Sequence, residues 1–172
     1  GTVVTSFSEL TAAVTKAEKA GGGIVYVKGS SISCTAQLAL KASNANVSII
    51  GVKNSDGTYP VLDFSAFRSA YIGKATTDSE VGIRISGSNY TIKNLIIQKA
   101  PDNGIQIKGS SAGNNTIENC MVRYNNDAGV QITGGAYSNT MRFVYSYRNC
   151  DVYTLGGNAD GFAPKLGAGK GN

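Results

Sequence analysis

The sequence predicts an all-β fold, a right-handed parallel β-helix with a short capping α-helix at its N-terminal end. Three observations carry this prediction. First, the middle of the chain repeats itself. Residues 81–100 (VGIRISGSNYTIKNLIIQKA), 103–125 (NGIQIKGSSAGNNTIENCMVRYN) and 128–149 (AGVQITGGAYSNTMRFVYSYRN) share one plan: a glycine, a short strand, a glycine turn and a second strand. The leading glycines Gly82, Gly104 and Gly129 stand 22 and 25 residues apart, a period typical of stacked repeats. Second, the strands alternate with period two and no helical stretch separates them, which favours a β-helix over leucine-rich or helical solenoids. Third, the 172 residues include 22 glycines and only 16% charged residues, against about 25% in ordinary globular chains, which suits many tight turns.

The elements follow in order. In "TSFSELTAAVTKAEKAGGG", Ser6 and Glu9 fit a capping box, and Phe7, Leu10, Val14 and Ala17 form one apolar stripe at helical spacing. Gly21 to Gly23 stop the helix. The predicted helix covers residues 6–20 and caps the open N-terminal end of the solenoid, which would otherwise expose strand edges. "GIVYVKGS" then reads as a strand. In the repeats, Ile83, Ile105 and Val130 should form one inward column, Ile85, Ile107 and Ile132 a second, and Ile92, Ile117 and Met141 a third. Leu95 or Ile96 should align with Cys120 or Met121, which makes Cys120 a core residue. Asn89, Asn94, Asn115, Asn119, Asn139 and Asn149 recur at turns, where asparagine tolerates left-handed dihedrals and its amide can bond to its copies in adjacent coils. Residues 1–172 read as a single domain. Its last coil is expected to be covered by a missing C-terminal segment or a partner.

Composition narrows the chemistry. The chain has no histidine, which excludes Ser-His-Asp and Cys-His catalysis and any histidine-ligated metal. The three cysteines show no paired spacing and read as free thiols. The net charge of +5 favours a polyanionic partner. The basic residues are scattered rather than clustered, so nucleic acid is not expected. No apolar run is long enough to predict a membrane span.

"DGFAPKLG" offers a fourth repeat start at Gly161, and the step from Gly129 lengthens to 32 residues. The extra residues lie in "YRNCDVYTLGGNADG", 147–161, with Asp151, Asp160, Asn149 and Asn158. A lengthened turn on a solenoid marks its binding side, and an oxygen-rich loop suits Ca²⁺. On composition alone these residues read equally as solvated turn residues, and Asp102 and Asp127 near the preceding repeat glycines as plain Asp-Gly-type turns. The closing "GAGKGN" is not the phosphate-loop pattern.

The stretch "RNCDVYTLGGNADGFAPKLGAGKGN" and the N-terminal "GTVVTSFSEL" to "IVYVKG" resemble polysaccharide lyase family 9, the pectate lyases. The resemblance covers essentially the whole chain. It implies a secreted, extracellular, monomeric protein that cleaves polygalacturonate (pectin) by calcium-dependent β-elimination. It implies that Asp160 is a Ca²⁺ ligand and that the remaining ligands come from the next coil. Lys165 matches a lysine of the signature but not the catalytic base, which the family carries later. Asp151 and Lys165 are therefore expected near the site, with no catalytic residue among these 172. The chain is expected to be an incomplete fragment with at most weak lyase activity of its own. The alternatives are a non-catalytic pectin-binding β-helix or scaffold, and a polygalacturonase-like hydrolase suggested by "NADG", although that family's adjacent Asp-Asp pair and histidine are missing.

Overall fold

A computed structural model describes all of residues 1–172. Chain order runs β1 (Thr2–Val4), α1 (Phe7–Lys19), β2 (Gly23–Val27), β3 (Ser31–Ser33), β4 (Leu38–Leu40), β5 (Val47–Gly51) and β6 (Val61–Asp63). A one-turn helix α2 (Ser65–Arg68) follows, then β7 (Ile83–Ile85), β8 (Tyr90–Lys93) and β9 (Ile96–Gln98). The next coil is β10 (Ile105–Lys108), β11 (Thr116–Glu118) and β12 (Met121–Arg123). The last strands are β13 (Val130–Thr133), β14 (Thr140–Arg142), β15 (Tyr145–Tyr147) and β16 (Phe162–Pro164). Every pairing is parallel, and the strands sort into three sheets: β1-β2-β5-β8-β11-β14, β4-β7-β10-β13-β16 and β3-β6-β9-β12-β15. Each circuit of the chain contributes one strand to each sheet, which is a parallel β-helix.

The inward columns form as the sequence predicts. Ile83, Ile105 and Val130 are in register, as are Ile85, Ile107 and Ile132, and Ile92, Ile117 and Met141. All but Met141, which is partly buried against it, belong to one continuous apolar cluster of 31 buried residues that includes Cys34 and Cys120. Burial pushes both of those thiols up to about 12, so they pack as small apolar groups.

Helix α1 closes the N-terminal end with Leu10, Ala13 and Val14 buried. Ser6 caps it by accepting the Glu9 N–H, but the Glu9 carboxylate reaches back to Thr5 N (2.8 Å) rather than to Ser6. A second tie is side-chain: buried Tyr90 donates its hydroxyl to Glu18 Oε1 and accepts from Ala42 N (2.8 Å). β1, absent from the sequence reading, adds an edge strand beside β2 through Thr2↔Val25 to Val4↔Val27.

The turns use asparagine both for its dihedrals and for its amide. Asn89, Asn94 and Asn119 adopt left-handed dihedrals (φ 61, 58 and 49), and so do Tyr124, Phe143 and Arg148 at other turns. Asn119 Nδ2 also donates to Asn94 Oδ1 (2.8 Å) and Asn89 Nδ2 to Asn44 Oδ1 (3.3 Å), while Asn115, Asn139 and Asn149 form amide ladders that are buried. Asn115 Nδ2 donates to Asn139 Oδ1 (3.0 Å), Asn139 Nδ2 to Asn172 Oδ1 (2.9 Å), and Asn125 Nδ2 to Asn149 Oδ1 (2.9 Å). The ladder explains the repeat glycines. A Cβ at Gly104 would lie 2.5 Å from Asn125 Nδ2, and one at Gly129 would lie 1.9 Å from Ser146 Oγ and 2.7 Å from Asn149 Nδ2.

Candidate functional site

The side chains of one sheet face, on β4-β7-β10-β13-β16, and the turns that enter it bring the chain's chemistry together. Strand alternation points Ala39, Arg84, Gln106, Gln131 and Ala163 outward in one row. The residues two positions further along each strand line are Lys41, Ser86, Lys108, Thr133 and Lys165. Three of those five are cations.

The lengthened turn delivers Asp160 to the edge of this face. Its carbonyl accepts the Gly129 N–H (2.9 Å), which fixes its backbone where β16 begins. Its side chain is half-exposed, and Oδ2 lies 3.4 Å from Lys165 Nζ. Asp151 does something else. Its carboxylate accepts from Tyr153 N (2.8 Å), Thr154 N (3.3 Å) and Thr154 Oγ1 (2.8 Å), so it is occupied in shaping its own turn. Of the three sequence-predicted residues, the structure brings Asp160 and Lys165 together and turns Asp151 to local work.

Phe162 joins the inward register opposite Val130. Leu166 lies past the strand: it takes a left-handed φ of 50 and is 78% exposed, while Pro164 holds the position opposite Ile132. The tail beyond it forms the next turn. Gly135 N donates to Gly167 O, Ser138 N to Lys170 O, and Asn172 continues the ladder.

A carboxyl pair expected only as turn residues lies one and two coils earlier. Asp102 and Asp127 each stand two residues before a repeat glycine, so stacking the coils sets them side by side. Their carboxyls hydrogen-bond to each other. Asp102 also accepts from Asn103 N (2.6 Å) and Asn103 Nδ2 (2.7 Å). Burial, and after it the Asp102 charge, pushes the Asp127 carboxyl up to about 6. Burial raises Asp102 as well. Two acids in direct contact leave no room for a sugar or a water between them, unlike the separated carboxyls of a glycosidase. The signal that could have found the pair was present: identical residues at one repeat position must meet in a parallel solenoid.

The segment between α2 and β7 crosses the same face and seats Asp78 on it. Asp78 Oδ1 accepts from Gln106 Nε2 (2.9 Å), and Oδ2 accepts from Lys108 Nζ (2.6 Å) and lies 3.5 Å from Arg84. Burial raises this carboxyl, but the Lys108 and Gln106 hydrogen bonds outweigh it and hold Asp78 below the usual range.

Calcium takes six to eight oxygens. No group of three or more carboxylates, thiols or imidazoles converges in a way that would hold a metal. Asp160 offers one carboxylate with an ammonium beside it. These residues alone therefore do not make a complete calcium site.

Comparison with known proteins agrees with this geometry. A family described as the Pel9A-like, right handed beta helix region matches residues 1–172. Pectate lyase L of Paenibacillus polymyxa (strain SC2) is 34% identical over 161 residues, covering 89% of this chain and 34% of that protein. The chain thus spans about a third of the curated relative's length. The crystal structure of pectate lyase Pel9A superposes with a TM-score of 0.73 at 25% identity, covering 92% of this chain and 40% of that one. A rhamnogalacturonan lyase shares the fold, with a TM-score of 0.56 at 18% identity over 88% of this chain and 42% of that one.

Proposed function

The chain belongs to the Pel9A-like right-handed β-helix family, and from that membership we propose that it is part of a secreted, monomeric pectate lyase acting on polygalacturonate. The observation that carries the reading is the match over all 172 residues, supported by the pectate lyases among its relatives. The reaction is a β-elimination. A base removes the C5 proton beside the uronate carboxyl, the electron pair forms the C4–C5 double bond, and the C4–oxygen bond breaks with the leaving sugar.

We assign to this chain the holding of the substrate rather than the removal of the proton. The outer row of cations favours a polyuronate over a neutral glycan. Asp160 is our candidate for one ligand of a Ca²⁺ ion, whose charge would stabilise the developing carbanion. Lys165, 3.4 Å from the Asp160 carboxylate, offsets its charge and would be free to meet a uronate carboxylate if Asp160 turned to a cation. No residue of this chain is assigned as the base.

Polygalacturonate with calcium, followed by ultraviolet absorbance of the unsaturated product, tests the lyase reading in the longest natural form of the protein. Cleavage that yields only saturated ends would replace it with hydrolysis. One observation favours a second reading for these 172 residues by themselves, a galacturonan-binding β-helix without turnover: no metal-holding cluster converges among them. Calorimetric titration of the chain with CaCl₂, with Asp160→Asn as control, tests the ligand assignment. Binding that Asp160→Asn leaves unchanged would sink it.

A further inference from the structure

A polar pocket of about 290 Å³ opens on the same sheet face, at its β4–β7 end, lined by Gln37, Lys41, Ser79, Arg84 and Ser86. Its donors are unlike a solvated surface. Gln37 is tied down by its Nε2 bonds to Asp78 O (2.8 Å) and Val81 O (3.2 Å), which fixes the far wall. Two hydroxyls and two cations face the space. Arg84 makes two long contacts to Asp78, Nη2 to the carboxylate (3.5 Å) and Nη1 to the backbone carbonyl (3.4 Å), which leave its remaining N–H groups uncommitted. Lys41 forms no ion pair at all. Arg84 and Lys108 share one carboxylate, Asp78. Asp78 also shows what this face accepts: a carboxylate is already seated on Gln106, Lys108 and Arg84 one coil away.

We propose that this pocket is a distal subsite for a uronate carboxylate of an acidic polysaccharide, with Lys41 and Arg84 as the cations and Ser79 and Ser86 serving the sugar hydroxyls. The proposal rests on the galacturonan reading given above. Parallel strands lie about 4.8 Å apart, so β4 is about 19 Å from β16, four strand steps along one sheet. An extended galacturonan that places one sugar at Asp160 and runs along this face therefore reaches Lys41 only when it is several sugars long. The pocket makes the protein read chain length.

Binding of short and long oligogalacturonides to the full chain, measured by calorimetry at low salt, tests this with Lys41→Glu. Lys41 is exposed and unpaired, so the variant is expected to fold, which circular dichroism checks. The long oligomer should lose on the order of tenfold in affinity, and added salt should shrink the difference. The short oligomer, which cannot reach the pocket from Asp160, should change less than twofold. Equal loss for short and long oligomers, or no loss for either while the wild type binds both, overturns the subsite and leaves the galacturonan reading standing. A folded wild type that binds no galacturonide of any length overturns both.

Discussion

The Asp102–Asp127 pair should make the protein less stable as pH rises through the mildly acidic range, and a single neutral substitution at Asp127 should reduce the effect. In the folded chain Asp127 titrates near 6, against an ordinary value of 3.8. The folded state therefore holds a proton that the unfolded state releases between about pH 4 and pH 6. Stability is fully present below the unfolded pKa and falls as pH rises through the folded one. Two pH units correspond to about 3 kcal/mol at full strength. Asp127 is only half-buried, and water screens much of that, leaving about 1–1.5 kcal/mol. Asn is the informative replacement. Its oxygen can still accept the Ala128 N–H, as Asp127 Oδ1 does at 2.8 Å, and its amide donates to Asp102 as the protonated acid would. Asp127→Asn should be about as stable as wild type at pH 4 and more stable at pH 8. The midpoint gain at pH 8 should be about 2–6 °C, since 1 kcal/mol moves a chain of this size by about 2–4 °C. The assay is thermal unfolding of both proteins across pH 4–8. Carboxylates held low, Asp63 and Asp78 among them, act below this window and with opposite sign. A wild-type curve that stays flat or rises from pH 4.5 to 7, or a variant no more stable at pH 8, would refute the reasoning.

Other outcomes follow from the turns and ties. Phe143→Asn replaces an exposed phenylalanine at φ 54 with a residue suited to that dihedral, and should gain about 0.5–1 kcal/mol by urea denaturation; a loss would show that the aromatic ring is needed. Asn139→Ala removes an amide that accepts from Asn115 N and Nδ2 and donates to Ala112 O and Asn172 Oδ1, so about 3 kcal/mol should go, with faster hydrogen exchange at Asn115. Tyr90→Phe leaves the Ala42 N–H and Glu18 without their partner and should cost about 1–3 kcal/mol, with α1 exchanging first; uniform loosening would argue against a local latch.

The strands were legible because each obeys one rule: Ile85, Ile107 and Ile132 must all point inward if the coils stack, and their spacing says that they do. The cap was legible from Ser6 and the Leu10–Val14 stripe for the same local reason. The local role of Asp151 was not legible, because composition does not say whether a turn carboxylate serves a ligand or its own backbone, and here Tyr153 and Thr154 bond to it. Asp78 was invisible: it meets Gln106 and Lys108 from 28 and 30 residues away, through a segment outside the repeat. Asp102 and Asp127 were in view as turn residues, yet their meaning lies in their contact, which only the stacked coils create.

The step from Gly129 to Gly161 carries more residues than its predecessors, yet Val130 still meets Phe162 in register. Length is absorbed wholly outside the sheets. A duplication or deletion of a complete circuit would therefore leave every remaining contact with an equivalent neighbour, whereas one residue added inside a strand would turn its inward side chains to water. Such a molecule can lengthen or shorten by whole circuits without a new fold, and any grip it has on a polymer would be scaled in the same discrete increments.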